Sequence, residues 1–263
     1  MKRAISLVLA LGLVALVSSW ANATVIIDGA TNNGYLDQTH AVEVVPGFFL
    51  PQPSVWTNSA SRTITGSYLD DLSSETFAGG PPTPATTGNF SNPPNPDGCG
   101  NTATDGDCGV FFKPFSGNLT TDGLATAHLF QDNPATAGLT YQMTGWAGAE
   151  ANALMTDATF SIRFLNATNA DIGGATLSLL PTLFVPNGQP FNYKNYVFGA
   201  VAPAGTVTVR ADIAMIGAQT NPLGGGQAFV VDDVSLSSCV PEPASVSLVL
   251  MGMLGLVGLV RRR

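Results

Sequence analysis

Positive charge is what this 263-residue chain has least of: ten Lys and Arg stand against eighteen Asp and Glu. Between residues 24 and 239 only Arg62, Lys113, Arg163, Lys194 and Arg210 are basic, against seventeen acids, a formal charge of −12. Such a body has no basic footprint with which to displace counterions, so nucleic acid is excluded as a partner. Lys and Glu are scarce and long amphipathic helical patterns are missing, which excludes a helix bundle. His-Glu-x-x-His, Gly-x-Ser-x-Gly, Cys-x-x-Cys and phosphate-loop motifs are all absent. No pair of carboxylates is singled out for glycoside hydrolysis. The two histidines, His40 and His128, stand apart in the sequence, and a packed or surface role suits them better than metal ligation.

Long apolar runs are missing from the body and confined to the two ends. Met1-Lys2-Arg3 is followed by the apolar residues 4–17 and by Ala21-Asn22-Ala23, a small-x-small cleavage site. This is the pattern of a secretory signal peptide over residues 1–23. At the other end Val240-Pro241-Glu242-Pro243 precedes seventeen uncharged residues, 244–260, and then Arg261-Arg262-Arg263. The prolines keep the Glu242 segment extended. Seventeen residues make roughly 25 Å of helix, a short transmembrane span, and the arginines hold its end in the cytoplasm. Residues 240–263 resemble the PEP-CTERM sorting signal of Gram-negative bacteria; an ordinary membrane anchor is the simpler alternative. The resemblance implies processing by an exosortase-type membrane protease near the Pro-Glu-Pro. It also implies transient tethering through the C-terminal helix, then delivery to the cell surface or extracellular matrix of an exopolysaccharide-producing organism.

Only three cysteines are present. Cys99 and Cys108 close a short loop, and in an oxidising compartment that spacing reads as a local disulfide. Cys239 is left over, as a free thiol or an intermolecular link. Asp97, Asp105 and Asp107 crowd the same loop without the EF-hand pattern, so a solvated turn explains them better than an ion site.

Gly, Pro, Thr, Asn and Ser are abundant, the composition of a turn-rich β protein. Residues 24–27 form a first strand, and 62–66 another. Residues 79–109 form a long Pro/Gly/Asp-rich loop. Period-2 alternation is clear at Ala125, Ala127 and Leu129; at Leu139, Tyr141 and Met143; and at Phe160, Ile162 and Phe164. It is strongest at Val207, Val209, Ala211, Ile213 and Met215. Each run is a half-buried strand. Turn signals separate them at residues 132–134, 166–169, 186–188 and 203–205. The expectation is an all-β fold: an antiparallel, jelly-roll-like β-sandwich over residues 24–239, flanked by the signal peptide and the transmembrane sorting helix.

Residues 227–236, Gln-Ala-Phe-Val-Val-Asp-Asp-Val-Ser-Leu, resemble the closing strand of galactose-binding-like jelly rolls, the architecture of many carbohydrate-binding modules. The start departs from the usual opening of such domains: it reads Ile26-Ile27-Asp28-Gly29 and Asn33-Gly34-Tyr35-Leu36-Asp37. Strict alternation puts Asp232 with Val230, Val234 and Leu236, and Asp233 with Phe229 and Val231, so one acid points toward a core and needs hydrogen bonds or a metal. The resemblance implies that Asp232, with Asp28 as its nearest partner, holds a structural calcium (Ca2+); a surface Asp pair at a strand twist is the alternative. Trp146, Glu150 and Asn152 could offer a sugar an aromatic plate with carboxylate and amide groups; a core tryptophan is the alternative. Trp56 and Tyr35 are weaker aromatic candidates. The function expected is association with extracellular polysaccharide by a non-enzymatic, carbohydrate-binding surface protein. A purely structural matrix protein, or a glycan hydrolase or lyase, are the competing readings.

Overall fold

The computed structural model describes residues 23–29, 31–45, 48–62, 74–78, 108–114, 123–183 and 194–239. The expected signal peptide up to residue 22, the tail 240–263, and residues 63–66, 79–107 and 186–188 lie outside them. So do Cys99, Asp97, Asp105 and Asp107, and with Cys99 the pairing expected of it with Cys108.

The described chain is almost all strand: β1 (Thr24–Ile27), β2 (Thr39–Val45), β3 (Phe48–Pro53), β4 (Thr57–Arg62), β5 (Ser74–Ala78), β6 (Cys108–Phe112), β7 (Ala125–Pro134), β8 (Thr140–Ala149), β9 (Asp157–Leu165), β10 (Asp171–Ser178), β11 (Lys194–Val201), β12 (Thr208–Ala218) and β13 (Phe229–Cys239). One helical turn, Leu180–Leu183, interrupts them. No helix among the described residues is long and apolar enough to cross a membrane.

Two antiparallel sheets form. A six-stranded sheet runs β11-β8-β13-β6-β5, with β1 alongside β13. A five-stranded sheet runs β10-β9-β12-β7-β4. The strands β2 and β3 form a separate hairpin. The two larger sheets pack face to face, as the contacts between their inner faces show. The rings of Tyr141 and Phe164 meet edge-on at 5.5 Å, and those of Phe160 and Tyr196 at 6.1 Å. Phe160 also presses on Gly145: a Cβ there would lie 2.9 Å from its ring. The alternation read from the sequence builds this interface. Leu129, Met143, Phe160, Ile162, Phe164, Val209, Ile213 and Met215 are completely buried. Each such large side chain contributes about 1.5–3 kcal/mol by leaving water.

Two details differ from the sequence reading. Val207 is 46% exposed and precedes β12, because the chain is still turning at Gly205 (φ +89°). The turn expected at 132–134 comes later, around Gly138 (φ +84°), and β7 continues through Pro134. Of the strand expected at 62–66 only Arg62 is described, as the last residue of β4. Strands β10 and β11 carry no strong apolar alternation. They exist because β9 and β8 offer them open edges.

Candidate functional site

The register of β13 decides what its two aspartates do. Asp232 lies opposite Trp146 and Ser235 opposite Thr144, so two residues, Asp233 and Val234, face Gly145 alone. This is a β-bulge, with Asp233 in the left-handed region at φ +48°. The bulge inverts the alternation. Phe229 and Val231 face the core before it, and Val234 and Leu236 after it. The grouping of Asp232 with Val234 and Leu236 is therefore corrected: Asp232 shares a face with Trp146, turned away from the five-stranded sheet. Asp232 is nonetheless only 1% exposed, and its Oδ1 accepts the backbone N–H of Asp233 at 2.8 Å.

A loop from Asp28 to Leu36 docks against the bulge. Val234 N donates to Gly34 O at 2.8 Å. Gly34 is required there, because a Cβ would sit 2.5 Å from Val234 O. Asn33 anchors the loop from within. Its Nδ2 donates to Gln38 O and Ser54 O, its Oδ1 accepts from Gln38 N, and its carbonyl accepts the indole N–H of Trp56 at 3.1 Å. Trp56 is thus a buried post beneath the loop, 6% exposed. The Tyr35 ring lies over Gly29, whose Cβ would be 2.7 Å from it.

Between loop and sheet an open cleft of about 230 Å³ is lined by Asp28, Gly29, Tyr35, Thr144, Trp146, Asn195, Asp233 and Ser235. Trp146 is half-buried. It shares the outer face with Thr144 on β8, and β11 places Asn195 directly opposite it. The Thr144 and Ser235 hydroxyls hydrogen-bond to each other at 2.7 Å. An aromatic plate, a phenol, two carboxylates, an amide and two hydroxyls therefore converge on one open depression.

Glu150 and Asn152 do not line this cleft; they clamp the glycine-rich segment before β13. Glu150 Oε2 accepts Ala228 N at 2.7 Å, Asn152 Nδ2 donates to Gly224 O at 2.9 Å, and Asn221 Nδ2 donates to Asn152 O. Gly226 is needed because a Cβ would meet Glu150 Oε1 at 2.4 Å. Asp28 is exposed and lines the cleft with Asp233. Among the described residues no three or more His, Cys, Asp or Glu side chains group as they would around a metal. Asn195 and Ser235 escaped the sequence reading, because their one signal was nearness to Trp146 across strand pairs. Thr144, two residues before Trp146 on the same face of β8, was not singled out, and Asp233 was read only as one of an acid pair.

The outer face of the five-stranded sheet carries a charge network instead. Asp212, 5% exposed, meets His128 Nδ1 at 2.9 Å and Arg163 Nε at 3.2 Å. Arg163 also reaches Asp171, and Arg210 makes a two-pronged bond to Asp132 while covering the Phe130 ring at 3.9 Å. That bond to Asp132 holds the Arg210 guanidinium above its ordinary value. A second cleft here, about 260 Å³, is lined by Arg163, Asp171, Gly174 and Thr176 with no aromatic ring.

No family profile matches the chain, and no curated relative does. Among solved structures it is similar to the enzymatically active domain of tailspike protein 4 of bacteriophage CBA120, at 14% identity over 70% of this chain and 19% of that one, TM-score 0.40. It is similar to TmCBM61 in complex with β-1,4-galactotriose, at 14% identity over 70% of this chain and 88% of that one, TM-score 0.36. The CBM22-1 xylan-binding domain of Paenibacillus barcinonensis Xyn10C is a third, at 7% identity over 70% and 85%, TM-score 0.35. The fold stated above comes from this chain's own strand register.

Proposed function

We propose that this is an exported surface or matrix protein whose β-sandwich binds carbohydrate, without catalysis, through the Trp146 cleft. One observation carries the reading: Trp146 and Tyr35 share an open depression with Asp28, Asp233, Asn195, Thr144 and Ser235. An indole supplies a plate for the apolar face of a pyranose, and carboxylate, amide and hydroxyl groups at its rim accept and donate to sugar hydroxyls. The cleft is open, so a glycan chain can pass through it without a free end. Export by the 1–23 signal, tethering and exosortase-type processing at Val240-Pro241-Glu242-Pro243, and release to an exopolysaccharide matrix complete the proposal.

Trp146→Ala should abolish retention of the protein on the polysaccharide of its own matrix in affinity electrophoresis, with the thermal midpoint changed by only a few degrees. Unaltered retention would refute the cleft. A Trp146-independent contribution to matrix strength, with no glycan retained by either form, would favour the purely structural reading.

Structural calcium fits the residues in one respect: Asp232 is a buried carboxylate on the strand the loop docks against. With Asp28 turned to the cleft, a calcium on Asp232 would draw most of its oxygens from backbone carbonyls. An ion bound only to the folded state stabilises by mass action. Chelation should then lower the melting temperature, calcium should restore it, and Asp232→Asn should remove the response. Melting that ignores both chelator and calcium would refute the site.

A further inference from the structure

We infer that the Trp146 cleft prefers sugars carrying a positive charge, de-N-acetylated hexosamines, over neutral and acidic ones. The inference rests on the carbohydrate-binding reading and names the ligand class of the same cleft. Among the described residues its lining holds two carboxylates, Asp28 and Asp233, beside an indole, and no basic residue. The described cations lie elsewhere in the fold. Arg163 and Arg210 lie on the outer face of the other sheet, in ion pairs. Lys194 Nζ donates to Thr182 O, and Lys113 lies over the Phe111 ring at 5.2 Å. Arg62 ends β4, in the five-stranded sheet.

A protonated amine on a sugar stacked against Trp146 gains from both kinds of neighbour. The indole face attracts a cation, and a carboxylate accepts a shorter, stronger hydrogen bond from an ammonium than from a hydroxyl. Acetylation of the amine removes the charge and adds bulk, leaving stacking and neutral hydrogen bonds. A uronate instead brings a third carboxylate to a site that already has two, on a body of charge −12. The bulge reinforces this. Asp233 is held at φ +48° beside the ring, where glycine would be the easier residue.

The test uses the full-length protein in mild detergent, titrated with a glucosamine hexamer, its fully N-acetylated counterpart, a cello-oligomer of equal length and a galacturonate oligomer. The glucosamine hexamer should bind roughly tenfold tighter than the acetylated one, the effect of one or two partly exposed ion pairs. That advantage should shrink with added salt. Asp28→Asn with Asp233→Asn should erase it, bringing the two hexamers to equal affinity whatever binding both lose with the carboxylates; asparagine tolerates the left-handed backbone. Trp146-dependent binding of the acetylated or neutral oligomers as tight as that of the glucosamine hexamer would overturn the charge preference and leave the carbohydrate reading standing. No Trp146-dependent binding of any oligomer would overturn both. A preference surviving the double Asn variant would also overturn it, assigning the attraction to the acidic body at large.

Discussion

Tyr196 is half-buried, packed edge-on against Phe160, and its hydroxyl meets Thr182 Oγ1 at 3.1 Å. Burial pushes its phenol up, and the Thr182 hydrogen bond pulls the other way by less. The folded state thus holds the proton more tightly than the unfolded chain, whose tyrosines titrate at about 10. This contribution to stability is intact below the unfolded value and is lost as pH rises through the raised folded one. Thermal melts should therefore fall more steeply above about pH 10 in the wild type than in Tyr196→Phe. Parallel curves would show that the buried phenol contributes nothing to the alkaline limit.

At the scale of elements, the bulge in β13 and the loop docked on it create the cleft together. A regular strand would send Asp233 toward the core and leave Trp146 on a flat sheet. The bulge costs backbone strain, since an L-residue in the left-handed region lies about 1 kcal/mol above its preferred conformations. Asp233→Gly should relieve that strain and raise the urea midpoint by an amount equivalent to about 1 kcal/mol. The same change should weaken glycan binding, because the carboxylate is gone from beside the indole. A lower midpoint instead would mean that the Asp233 side chain holds the bulge by more than its backbone costs.

For the whole molecule, the proposed function divides the work between the acidic sandwich, which would recognise, and the apolar tail, which would locate. Deleting residues 244–263 should move the protein from the membrane fraction to the soluble one, since that run is the long apolar stretch outside the signal peptide. Changing Pro241 and Glu242 should leave the protein in the membrane and unprocessed, as read by the mass of its mature C-terminus. Normal processing of that variant would defeat the sorting-signal reading. Local and long-range parts are separable here because the tail is read from one contiguous run of sequence, whereas the cleft needs the loop after β1 with β8, β11 and β13 at once.

The sequence by itself determined the sandwich class and the inward residues of β7, β8, β9 and β12, because period-2 alternation is local and each strand carries its own. It also marked the acid pair 232–233 as holding a carboxylate in need of a partner, and Trp146 as a candidate aromatic plate. Only the tertiary structure decided which acid meets the indole. One inserted residue in β13 reverses every face after it, and a bulge of Asp233 and Val234 directly after Asp232 leaves no clear mark in hydrophobic periodicity. The same holds for Glu150 and Asn152. Their spacing from Trp146 suits a sugar site, yet they hold the glycine-rich segment before β13 instead. Asn195 entered the cleft through the pairing of β11 with β8, across a separation of about fifty residues that no local pattern encodes.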